Sequence, residues 1–192
     1  MRATLRFSVL LLVCLGLAWQ AGPARAEYLV MEVGLQFPDR VGSARLWKGE
    51  RYPDARLGHG IEYRGPGFAG SVYVYNAGNP DIPDGTANAV VRTQFARARN
   101  DIAAFQRQRN LPEPQLLAEQ PIRAANVEFL AARYRVVRGD VVSVSLVAMT
   151  GYRRHFIKIR VSVPVASGAA GTRQMEEFVQ DVARILAGAG AR

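Results

Sequence analysis

Residues 126–164, NVEFLAARYRVVRGDVVSVSLVAMTGYRRHFIKIRVSVP, decide the fold of this chain. Three runs rich in β-branched and aromatic residues are separated by two short turns, RGD at 138–140 and GYRR at 151–154. Such runs are typical of β-strands, and short turns join strands that are antiparallel neighbours. The stretch therefore predicts a three-stranded antiparallel meander in the middle of a sheet.

Alternation within these runs divides the side chains between two faces of the meander. The first face is apolar, and we expect it to lie in the core; it comprises Leu130, Ala132, Tyr134, Val136, Val142, Val144, Leu146, Ala148, Ile157, Ile159, Val161 and Val163. The second face mixes apolar side chains with Arg133, Arg135, Ser143, Ser145, Lys158 and Arg160. We expect cover on both faces, with the second face basic through its centre.

The first half of the chain also predicts antiparallel strands. Apolar and polar side chains alternate over residues 27–37, which predicts one continuous strand ended by Pro38. Further strands are predicted at residues 44–52, 57–63, 71–76 and, later in the chain, 115–122. Residues 77–85 are dense in Gly, Pro, Asn and Asp, a composition typical of a loop.

Two helices are predicted, one before the meander and one after it. The first covers about residues 89–108, where Thr86 or Asn88 can cap it. Its apolar stripe follows helical spacing and consists of Val91, Phe95, Ala98, Ile102 and Phe105. The second covers about residues 173–187, with Thr172 as its cap and Gly188 as its end.

Runs of strands joined by short turns and separated by helices predict an α+β fold, an antiparallel β-sheet with two main helices. This order resembles the PsbP/DcrB-like α/β/α sandwich, through FPDRVGSARL (37–46), SVYVYNAG (71–78), the helix after IPDG (82–85), VEFLAARYRV (127–136), GYRRHFIKIRVSVP (151–164) and the closing helix. The chain also resembles exported proteobacterial proteins. The resemblance implies an exported, mostly non-enzymatic accessory or interaction module, and it transfers no functional residue.

Residues 1–26 have the pattern of a secretory signal peptide. Arg2 and Arg6 precede an apolar run over residues 7–19, and Ala24 and Ala26 supply small residues at the positions that signal peptidase reads. The run is shorter than the roughly 20 residues that span a bilayer. We therefore predict cleavage after Ala26, no transmembrane segment afterwards, and a single α+β domain of residues 27–192 in the periplasm or outside a bacterial cell.

Cleavage would leave a basic chain without cysteine. Cys14, the one cysteine, lies in the signal region, and the bulky Val13 before it argues against lipid attachment there. The remaining residues carry 22 Lys and Arg against 16 acidic residues, a formal net charge of +6. Export makes nucleic acid an unsuitable partner. We expect instead an envelope protein or an anionic cell-envelope component, and the alternative is a basic surface that is only solvated.

No sequence motif indicates a catalytic or metal centre. The chain lacks a G-x-S-x-G nucleophile elbow, and its two histidines, His59 and His155, lie in no metal-ligand pattern. Asp81 and Asp84 lack the spacing of a calcium loop, so turn chemistry explains them better. We expect no cofactor and no metal.

Two groups of residues are candidates for binding. The first is a basic turn and the strand after it, formed by Tyr152, Arg153, Arg154, His155, Lys158 and Arg160. Arginine side chains bind phosphate and carboxylate groups through paired hydrogen bonds, although an ordinary basic hairpin end is the plainer interpretation. The second group is aromatic and is more simply explained by packing; it comprises Trp47, Tyr63, Tyr73 and Tyr75.

We therefore expect an exported, non-enzymatic accessory or interaction module that binds a protein or an acidic envelope component. The alternative is a small-ligand-binding or weakly hydrolytic periplasmic domain, whose pocket between sheet and helix is lined by tyrosines and His59. A well-packed sheet–helix interface without such a pocket would argue against the alternative.

Overall fold

The structure is a computed structural model that describes residues 27–190. The predicted signal peptide at residues 1–26 lies outside the described residues. The strands are β1 (Tyr28–Val30), β2 (Leu35–Phe37), β3 (Arg40–Val41), β4 (Ala44–Arg51), β5 (His59–Gly65), β6 (Phe68–Tyr75), β7 (Gln115–Glu119), β8 (Ile122–Ala124), β9 (Val127–Arg138), β10 (Val141–Tyr152) and β11 (His155–Pro164). The helices are α1 (Ala89–Gln108) and α2 (Gly168–Gly190), and short 3-10 turns cover Met31–Val33, Ala55–Leu57 and Val165–Ser167.

A nine-stranded antiparallel sheet forms the centre of the fold. Its strand order is β3-β4-β5-β6-β11-β10-β9-β7, and β8 pairs with β9 beside β7. The predicted meander is confirmed as β9, β10 and β11, three long strands in the middle of the sheet. The α+β class and the two main helices are confirmed as well. Within residues 27–190, no helix is long and apolar enough to cross a bilayer.

Each helix packs on its own face of the sheet. The α2 face holds the larger core, in which Phe178 contacts the rings of Tyr63 and Phe68 at centroid distances of 5.5 and 5.3 Å. The α1 face holds a smaller core around Phe95, Met149 and Phe156. Helix α1 lies mainly over β10 and β9, toward one side of the sheet. Strands β5 and β6, on the other side of β11, have one face packed under α2, and α1 covers the other face only at the end of β6, where Tyr75 is buried.

The predicted faces of the meander are wrong for β9. A two-residue turn, Gly139-Asp140, joins β9 to β10, so that Arg138 pairs with Val141 and Ala132 with Val147. Even-numbered residues of β9 therefore share a face with odd-numbered residues of β10, because the hairpin turn fixes the register and directly paired residues point to the same side. The Leu130–Val136 set packs under α1, whereas Arg133 and Arg135 lie on the α2 side.

The prediction of one strand over residues 27–37 is also wrong. The segment folds back on itself as β1, a 3-10 turn and β2, with Gly34 at the reversal in the left-handed conformation (φ 64°). Leu29 and Met31 are 51% and 74% exposed, whereas Leu35 is fully buried. Alternating hydrophobicity does not reveal such a reversal, because a tight hairpin and a continuous strand both place alternate residues on one side.

Helix α1 has the predicted bounds, and the Asn88 side chain caps it by accepting a hydrogen bond from the Val91 N–H (2.8 Å). Its buried stripe ends differently, because Phe105 is 36% exposed and Gln106 is buried instead. Gln106 Nε2 donates to the carbonyls of Pro112 and Val137, both at 3.1 Å.

The second helix is longer than predicted at both ends. Helix α2 begins at Gly168, so Thr172 lies inside its first turns rather than at its cap, and the helix continues through Gly188. The strand predicted over residues 115–122 is divided into β7 and β8, which pair with different parts of β9.

Candidate functional site

The β10–β11 turn divides the predicted binding residues between two sides of the sheet. Tyr152 packs against the α2 core, and the Arg153 side chain extends to the same side. Lys158 and Arg160 point to the α1 side, because they alternate with the buried Ile157 and Ile159 along β11. The structure therefore does not bring the six predicted residues together into one cluster.

Arg153 joins three parts of the chain at the turn. Its guanidinium donates to the carbonyls of Val33 (2.9 Å) and Ala189 (2.6 Å), and its backbone N–H donates to Asp84 Oδ1 (2.6 Å). The residue has a positive φ of 45°, as expected at a tight hairpin turn. These contacts fasten the N-terminal hairpin, the end of α2 and the 77–85 loop to the start of β11.

The other residues of the turn support the same junction. Arg154 donates to the Pro80 carbonyl through Nε (2.8 Å) and Nη2 (2.5 Å). His155 Nδ1 lies 2.9 Å from the Arg153 carbonyl, and the Tyr152 hydroxyl donates to the Leu186 carbonyl (3.2 Å). A backbone bridge between Gly85 and Gly151 holds the loop against β10. The arginines at this end thus have intramolecular partners that the sequence did not reveal.

Lys158 and Arg160 lie on a part of the sheet that α1 leaves partly open. Lys158 pairs across the strands with Tyr73 of β6, and Arg160 pairs with Ser71. All four side chains are partly buried, whereas the residues between them on each strand, Val72 and Ile159, are fully buried on the α2 side. We call Ser71, Tyr73, Lys158 and Arg160 the basic sheet face.

Tyrosine rings hold the Lys158 ammonium group in place. Its Nζ lies 4.5 Å from the ring centroid of Tyr73 and 5.3 Å from that of Tyr75. The Tyr75 hydroxyl in turn accepts a hydrogen bond from Gln94 Nε2 on α1 (3.1 Å). An ammonium over two aromatic faces is stabilised by their negative electrostatic potential, so this lysine has a defined position.

Burial and like charge act on both cations. Burial lowers the pKa of Lys158 from its ordinary value, the charge of Arg160 lowers it further, and the exposed Asp101 on α1 opposes both effects. Burial also lowers the pKa of Arg160, an effect that Tyr73 opposes and Arg138 reinforces. Both groups have therefore lost part of their hydration without gaining a close counter-charge.

Among residues 27–190, neither Lys158 nor Arg160 forms an ion pair or a side-chain hydrogen bond. By contrast, Lys48 on β4 forms an ion pair with Glu50 (2.6 Å), and Arg64 on β5 forms one with Glu62 (3.6 Å). Partly buried charges in proteins are usually paired. Two unpaired cations side by side can therefore accommodate a negatively charged group.

The aromatic candidates also separate between the two faces. Tyr73 and Tyr75 belong to the α1 side, as described above. Tyr63 is fully buried under α2, where its hydroxyl donates to the Pro38 carbonyl (2.9 Å), and burial raises its pKa. Trp47 is exposed on β4, with the Arg64 guanidinium 4.4 Å from its ring centroid. Only Tyr73 and Tyr75 thus share a site with the predicted basic residues.

Sequence reasoning missed a polar group around the buried His59. The Tyr28 hydroxyl lies 2.9 Å from His59 Nδ1, and the Glu32 carboxylate lies 3.2 Å from Nε2. Burial raises the pKa of Tyr28, so the phenol stays protonated at neutral pH. The group fastens the N-terminal hairpin to β5 on the α2 side, opposite Tyr73. A pocket lined by both His59 and Tyr73 is therefore not formed.

No cluster of metal ligands is present in the described part of the chain. Within residues 27–190, no three His, Cys, Asp or Glu side chains lie together in a way that could hold a metal ion. A concavity of about 310 Å³ lies between α1 and the start of the 77–85 loop, lined by residues that include Asn79, Gln94, Arg97 and Phe156. Phe156 lies two residues before Lys158, on the same face of β11.

Comparison with known proteins establishes the fold. The chain is similar to the solution structure of cyanobacterial PsbP (CyanoP) from Synechocystis sp. PCC 6803, with a TM-score of 0.55 and 17% identity over 87% of this chain and 96% of that one. The chain has a PsbP-like fold. The predicted resemblance is thus confirmed for the fold, and at this identity the likeness carries no residue roles.

A second likeness is more distant. The crystal structure of PA94, a protein of unknown function from Pseudomonas aeruginosa, aligns with a TM-score of 0.39 and 13% identity, covering 81% of this chain and 94% of that one. A TM-score this low carries no argument about the present chain. No protein-family model and no curated protein sequence matches the chain.

Proposed function

We propose that this protein is an exported, non-enzymatic interaction module that binds an acidic component of the cell envelope through its basic sheet face. One observation carries the proposal: Lys158 and Arg160 are partly buried side by side, with no ion-pair partner among the described residues. Keeping two desolvated cations adjacent costs free energy in the unbound protein. A bound anion would remove that cost, so the arrangement suits binding better than it suits stability.

The turn residues have a supporting role in this proposal. Tyr152, Arg153, Arg154 and His155 fix the start of β11 through carbonyl contacts on both sides of the sheet. A fixed start sets the position of Lys158 and Arg160 relative to β6. The turn therefore supports the position of the two cations.

An envelope component suits this surface better than a folded protein partner. Protein interfaces have an apolar core, commonly built on aromatic residues. The basic sheet face instead offers a serine, a tyrosine and two cations, whereas the exposed Leu29 and Met31 lie in the N-terminal hairpin segment. A compact anionic group on a lipid or glycan can reach such a polar surface beside α1.

Binding to vesicles of phosphatidylglycerol and phosphatidylcholine tests the proposal. We expect the wild-type protein to co-sediment with these vesicles at low salt and to be released at high salt, because screening weakens attraction between exposed charges. The double variant Lys158→Gln/Arg160→Gln should lose most of this binding. Vesicles of phosphatidylcholine alone provide the baseline.

A matched variant separates the site from overall charge. Arg92→Gln/Arg173→Gln removes the same two charges from exposed positions on α1 and α2. It should bind the vesicles almost as well as the wild type does. Equal loss in both double variants would show that net charge alone drives binding, and wild-type binding by the Lys158/Arg160 variant would overturn the proposal. An acidic protein captured in place of vesicles, with the same dependence on Lys158, would identify the protein class of partner instead.

A further inference from the structure

We infer that the basic sheet face binds a phosphate monoester, a compact group that approaches two negative charges at neutral pH. The inference rests on the proposed function and names the ligand chemistry of the same site. It follows from the charges around Lys158 and Arg160, from the number of donors there and from the fixed position of the ammonium group.

The charge surplus of the site is about two. Lys158, Arg160 and Arg138 contribute three positive charges; Lys158 and Arg160 are neighbours on one face of β11, and the charge of Arg138 acts on the pKa of Arg160. Asp101 contributes the one negative charge that acts on both Lys158 and Arg160. The ion pairs on β4 and β5 are neutral overall. A phosphate monoester carries about −1.5 to −2 charges at pH 7, which matches this surplus, whereas a carboxylate or a phosphodiester carries one.

Basic side chains continue from the site toward the C-terminal end of α1. The guanidinium carbons of Arg109 and Arg138 lie 4.5 and 5.3 Å from the ring centroid of Phe105. Stacking on Phe105 holds Arg138, whose charge acts on the pKa of Arg160, next to the exposed Arg109. The negative charge of a ligand at Arg160 would therefore be shared by the neighbouring Arg138.

The donors suit the three terminal oxygens of a monoester. Lys158 provides an ammonium with three hydrogen-bond donors, and Arg160 provides a planar fork that pairs with two phosphate oxygens. Ser71 pairs directly with Arg160 across the strands, so its hydroxyl lies on the same face. Because tyrosine rings already hold Lys158 in place, little ordering of the side chain is needed on binding.

Calorimetric titration with three soluble probes tests this inference. Glycerol 2-phosphate is a monoester, dimethyl phosphate a diester and acetate a carboxylate. We expect the wild-type protein to bind glycerol 2-phosphate at least about tenfold more tightly than the other two, the effect of one further charge-assisted contact. Arg160→Gln should remove that preference, and Arg92→Gln, which removes an exposed charge on α1, should keep it.

Vesicles identify the source of the phosphate group. If the natural ligand is a lipid headgroup, vesicles of phosphatidic acid, a monoester, should bind more tightly than vesicles of phosphatidylglycerol, a diester, through Lys158 and Arg160. If the ligand is a free phosphorylated compound, glycerol 2-phosphate in solution should bind the protein as tightly as phosphatidic acid vesicles do. It should also displace the protein from both kinds of vesicle. Either result supports the monoester assignment.

Equal affinity for the three soluble probes, together with equal affinity for the two vesicles, would overturn the monoester assignment. Such a result would leave the proposed function intact, provided that vesicle binding still required Lys158 and Arg160. Vesicle binding that is independent of both residues would instead overturn the proposed function. Circular dichroism of each variant checks that the fold is retained.

Discussion

Strands β6 and β11 have two faces with opposite physical character. Toward α2, Val72, Val74, Ile159 and Val161 are at most 1% exposed and lie in one apolar core. Toward α1, Tyr75 and Phe156 of the same strands are buried under the helix, but the next alternating positions form the basic sheet face, which is partly exposed and polar. Both faces share one backbone, so their difference lies in side-chain chemistry and in how much of each face a helix covers. The comparison separates residues that hold the fold from residues that are free to serve binding.

Truncation of the α2 core should have the largest effect on this comparison. Phe178 is fully buried and contacts Tyr63 and Phe68, so Phe178→Ala leaves a cavity between α2 and the sheet. We expect the free energy of unfolding to fall by about 3–5 kcal/mol. Chemical denaturation monitored by far-UV circular dichroism measures this change.

Phe105→Ala provides the matched control, because Phe105 is a phenylalanine of helix α1 that is 36% exposed. Its truncation should cost about 1 kcal/mol or less, since its ring is partly hydrated in the native state and most of the cavity term is absent. Similar losses in the two variants would contradict the assignment of the main core to the α2 face.

The β10–β11 turn should give an intermediate effect. Arg153→Met removes the guanidinium that donates to Val33 and Ala189, and we expect a loss of about 1–3 kcal/mol, as for hydrogen bonds made by a charged group. Arg154→Met, which loses contacts to the exposed Pro80 carbonyl alone, should cost less. Thermal unfolding of both variants measures the difference.

Amide hydrogen exchange shows which segments are destabilised by the loss of the Arg153 guanidinium. In Arg153→Met the N-terminal hairpin and the last turn of α2 should exchange faster, because the side chain no longer joins them, whereas β9 should be unaffected. Unchanged exchange in the hairpin would show that Tyr28, His59 and Glu32 hold it without help from Arg153.

Sequence patterns predicted the fold well where local signals were sufficient. The bounds of α1 follow from its 3.6-residue periodicity and from the cap at Asn88, and the meander follows from two short turns. The predictions failed where strand register or long-range contacts determine the structure. The length of the turn at Gly139 decides which side of the sheet the even-numbered residues of β9 face. The chain reversal at Gly34 leaves the alternation of apolar and polar residues over 27–37 unchanged.

The candidate site was predicted in part, for a related reason. Composition and arginine chemistry selected the six residues from Tyr152 to Arg160, but alternation along β11 already places Lys158 on the side opposite Ile157. Carbonyl partners for Arg153 and Arg154 come from segments more than 30 residues away in sequence, which no local pattern shows. Tyr73 reaches Lys158 through the pairing of β6 with β11, a contact set by the topology of the sheet.

Replacement of Lys158 should have the smallest effect on stability, and its pH dependence is the informative part. Lys158→Met keeps the length of the side chain and removes a charge that burial disfavours, at the expense of the cation–π contacts with Tyr73 and Tyr75. These terms oppose each other, so we expect the free energy of unfolding at pH 7 to change by less than about 1 kcal/mol.

The sign of the pH effect follows from the lowered pKa of Lys158. Between that lowered value and the unfolded value near 10.4, the unfolded chain binds more protons than the native protein does, so this lysine makes wild-type stability rise with pH. The raised pKa values of Tyr63 and Tyr75 act oppositely at higher pH, but both proteins contain these tyrosines. The difference in unfolding free energy should therefore shift in favour of the wild type as pH increases toward 10. Parallel stability curves for the two proteins would mean that Lys158 is as well hydrated as a surface lysine, and the basic sheet face would then lose the desolvation that distinguishes it from an ordinary solvated surface.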